Sequence, residues 1–130
     1  MYFNLSLSNI HFLKRTNDVE EIQYEMTKLK NKMKELNSYH DKHLNRPTMD
    51  DNIEGEKLID HLTQEITQVL GQCQMRVRKI SIRSNNLGKI DSSTDKRLLK
   101  NVVNNLASGL QDLTSDFRKN QNLYLRSIYY

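Results

Sequence analysis

The sequence predicts an all-α chain folded as an antiparallel up-down-up three-helix bundle, and three observations predict it. Apolar residues recur at alternating spacings of three and four over most of the chain. Only four glycines and one proline occur in 130 residues, and the turn signals gather at two places, around Pro47 and around Gly88. So few turn-formers leave few breaks, and therefore a small number of long helices. Short connections between long helices then force sequential neighbours to run antiparallel. The length suits a single domain with a real core.

The first helix is expected over about 18–45. Val19, Ile22, Met26, Leu29, Met33 and Leu36 form a heptad seam. Asn17 and Glu20 offer a capping box, each side chain satisfying a backbone N–H of the first turn, which places the start near Asp18 and leaves 1–16 as an extension, partly ordered at best. His40 and Leu44 continue the seam, and His43 lies at its edge. Pro47 ends the helix, because the residue before a proline, Arg46, is pushed into extended backbone.

The second helix is expected over about 53–86, capped by Asp51. Its stripe is Ile59, Leu62, Ile66, Val69, Leu70, Cys73, Val77 and Ile80. Gly88 supplies the stop, since it can close a helix in the left-handed conformation. A second capping box, Ser92 with Asp95, opens the third helix over about 93–129. There the stripe is Leu99, Val102, Val103, Leu106, Leu110, Leu113, Phe117, Tyr124 and Ile128, with Gly109 inside it. A glycine in mid-helix costs about 1 kcal/mol relative to alanine, which so strong a stripe should override. Residues 17–129 thus make one bundle.

Composition excludes several classes. The single cysteine, Cys73, cannot form an internal disulfide, so no oxidising compartment is needed. The opening "MYFNLSLSNIHFLKRT" lacks a basic leader and is interrupted by polar residues, and no later stretch approaches twenty apolar residues, so a soluble chain is expected.

The net charge of +4 raises nucleic acid or an anionic membrane as a partner. Between Arg76 and Lys100 eight basic residues face only Asp91 and Asp95, whereas between Asp50 and Glu65 six acids face only Lys57. In the bundle the basic stretch should lie beside Asp18, Glu20, Glu21 and Glu25. The acidic stretch should lie near Arg118, Lys119 and Arg126. Internal complementarity is the reading favoured over a nucleic-acid patch, which would want one uncompensated face and interleaved aromatics.

"HDKHLNRPTMDD" (40–51) has two histidines three residues apart. They could share a metal, but a closed zinc site needs four ligands and a catalytic one at least three. Asp41 points away from His40, and His11, His61 and Cys73 lie elsewhere, so no metal site is expected. The rings instead finish the last helical turn, complementing its carbonyls, with His40 packing its ring and leaving one nitrogen in water. No phosphate-binding glycine loop, nucleophile elbow or HExxH occurs, so neither catalytic residues nor a cofactor are expected. Met75 and Ile82, seven residues apart and nearly opposite the core stripe, should be exposed; singly exposed apolar residues are ordinary and need no function, and contact with another helix or partner is the alternative reading.

"MKEL" (33–36), "HDKHLNRPT" (40–48) with Asp50 and Asp51, "TQEITQ" (63–68), Cys73, "NVV" (101–103) and "DFRKNQNLYLR" (116–126) resemble the N-terminal Habc domain of syntaxins, in the trans-Golgi and endosomal Qa-SNARE branch. The resemblance covers about 18–126 and is most specific at "HDKHLNRPT". It implies a non-enzymatic domain on the cytosolic face of trans-Golgi and endosomal membranes, regulating vesicle fusion. In the full-length, membrane-anchored protein it would control access to the SNARE motif and engagement of an SM-family protein and cognate SNAREs.

The groove between the second and third helices could take that motif, with Met75, Ile82 and Val103 as candidate contacts. No nucleic acid is expected as partner; the alternative is a basic helical module binding RNA or anionic membrane. The chain reaches Tyr130 without a SNARE heptad run or anchor, so a fragment or truncated product is expected. Its first sixteen residues do not resemble the N-peptide by which relatives bind SM proteins.

Overall fold

The computed structural model describes residues 7–45, 53–86 and 93–129. They form three helices, α1 (Leu7–Leu44), α2 (Ile53–Asn86) and α3 (Ser93–Tyr129), with no strand among the described residues. None is long and apolar enough to cross a membrane. At 1.5 Å rise per residue, the 38 residues of α1 span about 57 Å.

Cross-helix pairs give the directions. Arg83 at the end of α2 reaches Asp18 near the start of the α1 seam, and Glu56 at the start of α2 faces His43 at the end of α1, so these two run antiparallel. Tyr124, near the end of α3, packs on His40 at the end of α1, so α3 returns parallel to α1. The bundle is up-down-up.

The core is built from the heptad positions. Val19, Ile22, Met26, Leu29, Met33 and Leu36 of α1 are buried against Ile59, Leu62, Ile66, Leu70, Cys73, Val77 and Ile80 of α2. Leu99, Val103, Leu106, Leu110, Leu113 and Phe117 of α3 complete it, with Val69, Val102 and Tyr124 partly buried at its margin. Full burial of one such aliphatic side chain stabilises the fold by about 1.5–3 kcal/mol. At Gly109 a Cβ would stand 3.0 Å from the Met26 side-chain Cε, the tip of a flexible side chain that would have to give by a few tenths of an ångström. Hydroxyls inside the helices are satisfied locally, Thr63 and Thr114 donating to the carbonyls of Ile59 and Leu110 one turn back.

Three expectations are corrected. The helix expected to start near Asp18 starts at Leu7, so ten residues assigned to an extension are helical and Asn17 is an exposed interior position. No glycine or proline interrupts 7–17, and prolonging a nucleated helix gains a hydrogen bond for each residue fixed, which outweighs a side-chain cap. Leu44 and Ile128, both on the apolar lattice, are 39% and 42% exposed. They lie at the bundle's end, where Leu44 borders an open cleft with Leu123, Tyr124 and Ser127 of α3 and stays partly in solvent. His40, expected to leave a nitrogen in water, is only 5% exposed. The turn at Pro47, the cap at Asp51, the stop at Gly88 and the cap at Ser92 lie outside the described residues.

Candidate docking groove

Because α2 and α3 meet on one side only of each helix, a long open groove of about 770 Å³ runs between them. Its floor is apolar: Val77, Val103 and Leu110 reach it from the core. Its walls are polar, with Gln74, Arg78 and Ser81 on α2 and Asn104, Gln111 and Arg118 on α3. Ile82 stands on the α2 rim, 53% exposed. An apolar floor between polar walls fits an amphipathic helix, whose apolar ridge would sit on Val77, Val103 and Leu110.

Of the three residues singled out in the sequence, Ile82 and Val103 line this groove together. Val103 is floor, already 5% exposed, so it offers an edge and not a whole side chain. Met75 does not line it; it is 60% exposed on the outward side of α2. Sequence reasoning passed over Asn104, Gln111 and Arg118, although their seven-residue spacing is a legible rail along one helix face. Arg78 and Arg118 make the walls electropositive, since neither is in an ion pair among the described residues.

The other constellation is the histidine pair. The His40 ring stacks on Tyr124, centroids 3.8 Å apart and planes 8° from parallel. The Tyr124 hydroxyl lies 2.9 Å from His43 Nδ1, and His43 Nε2 lies 3.8 Å from Glu56. An Nε2–H turned toward that carboxylate leaves Nδ1 to accept from the tyrosine hydroxyl. Burial depresses the His40 pKa below its ordinary 6.5, opposed by the Asp41 charge and aided by His43. Burial, with Glu56 and Asp60 nearby, pushes the Tyr124 phenol up.

The cluster is thus a clasp of packed rings. Among the described residues no three metal-ligating side chains converge. Its parts come from "HDKHLNRPT" and "DFRKNQNLYLR", so two of the stretches that carry the family resemblance touch each other.

Charge pairing at the other end follows the sequence reading. Arg83 donates to Asp18 at 3.0 Å and Arg76 lies 3.3 Å from Glu21. In mid-bundle Lys32 pairs with Glu65, and that hydrogen bond holds the Glu65 carboxyl below the usual range. The expected meeting of the acidic start of α2 with Arg118, Lys119 and Arg126 is not seen among the described residues; Glu56 faces His43 of α1 instead. α1 runs alongside α2 there and brings its own cation-capable ring closer. Cys73 is buried, which raises its thiol pKa and leaves it a packing residue.

The family model described as Syntaxin matches residues 11–126. Human Syntaxin-16 is 49% identical over 108 residues, 83% of this chain and 32% of that protein. Syntaxin-42 of Arabidopsis thaliana is 35% identical over 111 residues, 85% of this chain and 32% of the relative. The t-SNARE affecting a late Golgi compartment protein 2 of Schizosaccharomyces pombe is 31% identical over 93 residues, 72% of this chain and 29% of the relative. The chain therefore spans about a third of the length of these curated relatives. No solved structure gives a significant match. With a bundle of three long helices and a family match over nearly all of it, the chain belongs to the syntaxin family.

Proposed function

We propose that this bundle is the regulatory N-terminal domain of a Qa-SNARE, acting on the cytosolic face of trans-Golgi and endosomal membranes. The relatives' names support the branch, one of them specifying a late Golgi compartment. The domain catalyses nothing; it presents and withholds surfaces.

The observation that carries the reading is the α2/α3 groove, an apolar floor of Val77, Val103 and Leu110 between polar walls. The occupant is the SNARE motif of the whole protein, laid in through apolar anchors at three-four spacing, with acidic residues opposite Arg78 and Arg118. While it is occupied, cognate SNAREs are denied the motif. An SM-family protein that prefers the open form shifts the balance by no more than its differential affinity.

The test uses the whole protein. Deleting residues 1–130 should speed assembly with cognate SNAREs, and Ile82→Glu in the groove rim should reproduce part of that gain. Equal assembly rates with and without residues 1–130 would end the proposal.

A further inference from the structure

From Ile66 to Asn86 on α2, and from Lys96 to Gln111 on α3, there is no aspartate or glutamate. The α2 stretch holds four basic residues, of which Arg76 and Arg83 turn to the acids of α1, pairing with Glu21 and Asp18. Lys79 shares the cleft on the α1 side with Asp18 and Glu21. Arg78 on α2, with Arg97 and Lys100 on α3, are exposed and in no ion pair among the described residues. Internal complementarity therefore neutralises the α1 side of this end and leaves the α2/α3 side positive.

The positions are contiguous. Arg78 and Asn104 line one groove, and Lys100 and Arg97 precede Asn104 by four and seven residues, hence share its helix face. Met75 and Ile82, the two apolar side chains most exposed on α2, flank Arg78 at three and four residues. On α3 the stretch is bounded by Asp95 and Asp112, and the next acid, Asp116, lies away from this face, in the cleft toward Lys30 of α1.

A positive face with exposed apolar side chains attracts a polyanion, and its chemistry separates the two macromolecular classes. Single-stranded nucleic acid is held by aromatic stacking, and neither acid-free stretch contains an aromatic residue. Met75 and Ile82 instead suit the boundary between headgroups and acyl chains, with the arginines and the lysine at the level of the phosphates. We propose that this α2/α3 face docks the domain on an anionic lipid surface. The surface includes the groove's α2 rim, so a domain lying on lipid cannot hold a helix in that groove, and anionic membrane favours the open groove. The lipid contact itself does not depend on the SNARE reading, because it can be measured on the 130-residue chain alone.

The experiment is co-sedimentation of that chain with phosphatidylcholine vesicles, with or without about 30% phosphatidylserine. Partitioning should be about tenfold stronger onto the anionic vesicles and should fall away near 0.5 M salt, roughly the range where screening shortens to a few ångströms. Arg97→Glu with Lys100→Glu should reduce it about tenfold, with an unchanged urea midpoint reporting an intact fold. Ile82→Gln should weaken it severalfold, and Arg126→Glu, at the opposite end, should leave it unchanged. Equal binding to both vesicles, insensitivity to the double reversal, or tighter binding to an oligouridylate than to the anionic vesicles would each overturn the proposal.

Discussion

One end of the bundle is held by ion pairs in water and the other by rings stacked around a buried histidine. At the first, Arg83–Asp18 and Arg76–Glu21 join α1 to α2 through side chains that are each a third or more exposed. At the second, His40, His43, Tyr124 and Glu56 bring all three helices together, with His40 buried. Exposed pairs lose most of their Coulomb attraction to solvent and salt, whereas a buried stack keeps its dispersion and area terms but must stay neutral. The two ends should thus answer to different variables: ionic strength at one, pH and ring chemistry at the other.

The largest effect that would sharpen this contrast is at Tyr124. Tyr124→Ala should cost about 2–4 kcal/mol by urea unfolding, removing the stack on His40 and opening a void at the margin of the core. Tyr124→Phe keeps the ring and loses only the hydroxyl on His43, so about 1 kcal/mol is expected. Equal costs for the two variants would mean that the stack contributes nothing beyond the hydrogen bond.

Next in size is pH. The groups facing His40 are Asp41 and His43 on its own helix and Tyr124 on α3, with Glu56 of α2 beyond His43. Because the folded pKa lies below 6.5, the unfolded chain binds more protons in that window. Stability from the neutral ring is present above 6.5 and lost as pH falls through the lower folded value. The urea midpoint should therefore drop between about pH 7.5 and pH 5.5, and His40→Phe should flatten that slope. Glu65 does not confuse the test, since its depressed pKa places its loss at lower pH, below 4.5. An unaltered slope in the variant would break the assignment.

The smallest effect belongs to the other end. A double-mutant cycle on Arg83 and Asp18 should give a coupling of about 0.2–1 kcal/mol, shrinking as salt is raised. Tyr124→Phe should show little salt dependence. A coupling that survived high salt would erase the distinction between the ends.

Much of this was legible in the residues. Every member of the α1 seam from Val19 to Leu36 is buried, because burial on a bundle helix follows the 3.6-residue repeat and that repeat is written in the chain. Boundaries were less legible. The capping box at Asn17 is a valid start signal, yet a helix already under way runs through it to Leu7. Ile128 and Leu44 keep the lattice but stay exposed at the bundle's end, which no count of spacings reveals. The groove was half visible: Ile82 and Val103 belong to it, Met75 does not, and the heptad rail of Asn104, Gln111 and Arg118 was overlooked because polar residues at helical spacing normally read as solvent.

By itself the sequence determined three amphipathic helices, their seams, the segregation of charge between the ends and the family to which they belong. All of these are local or near-local properties, set by which side chains share a face within a few turns. Only the tertiary structure decided that Tyr124 lies on His40, 84 positions earlier, that α1 and not α3 answers Glu56, and that α2 and α3 leave a channel between them. Those depend on how rigid rods settle against one another across closed loops, where a small change in offset or crossing angle alters which side chains meet, and periodicity carries no information about that offset.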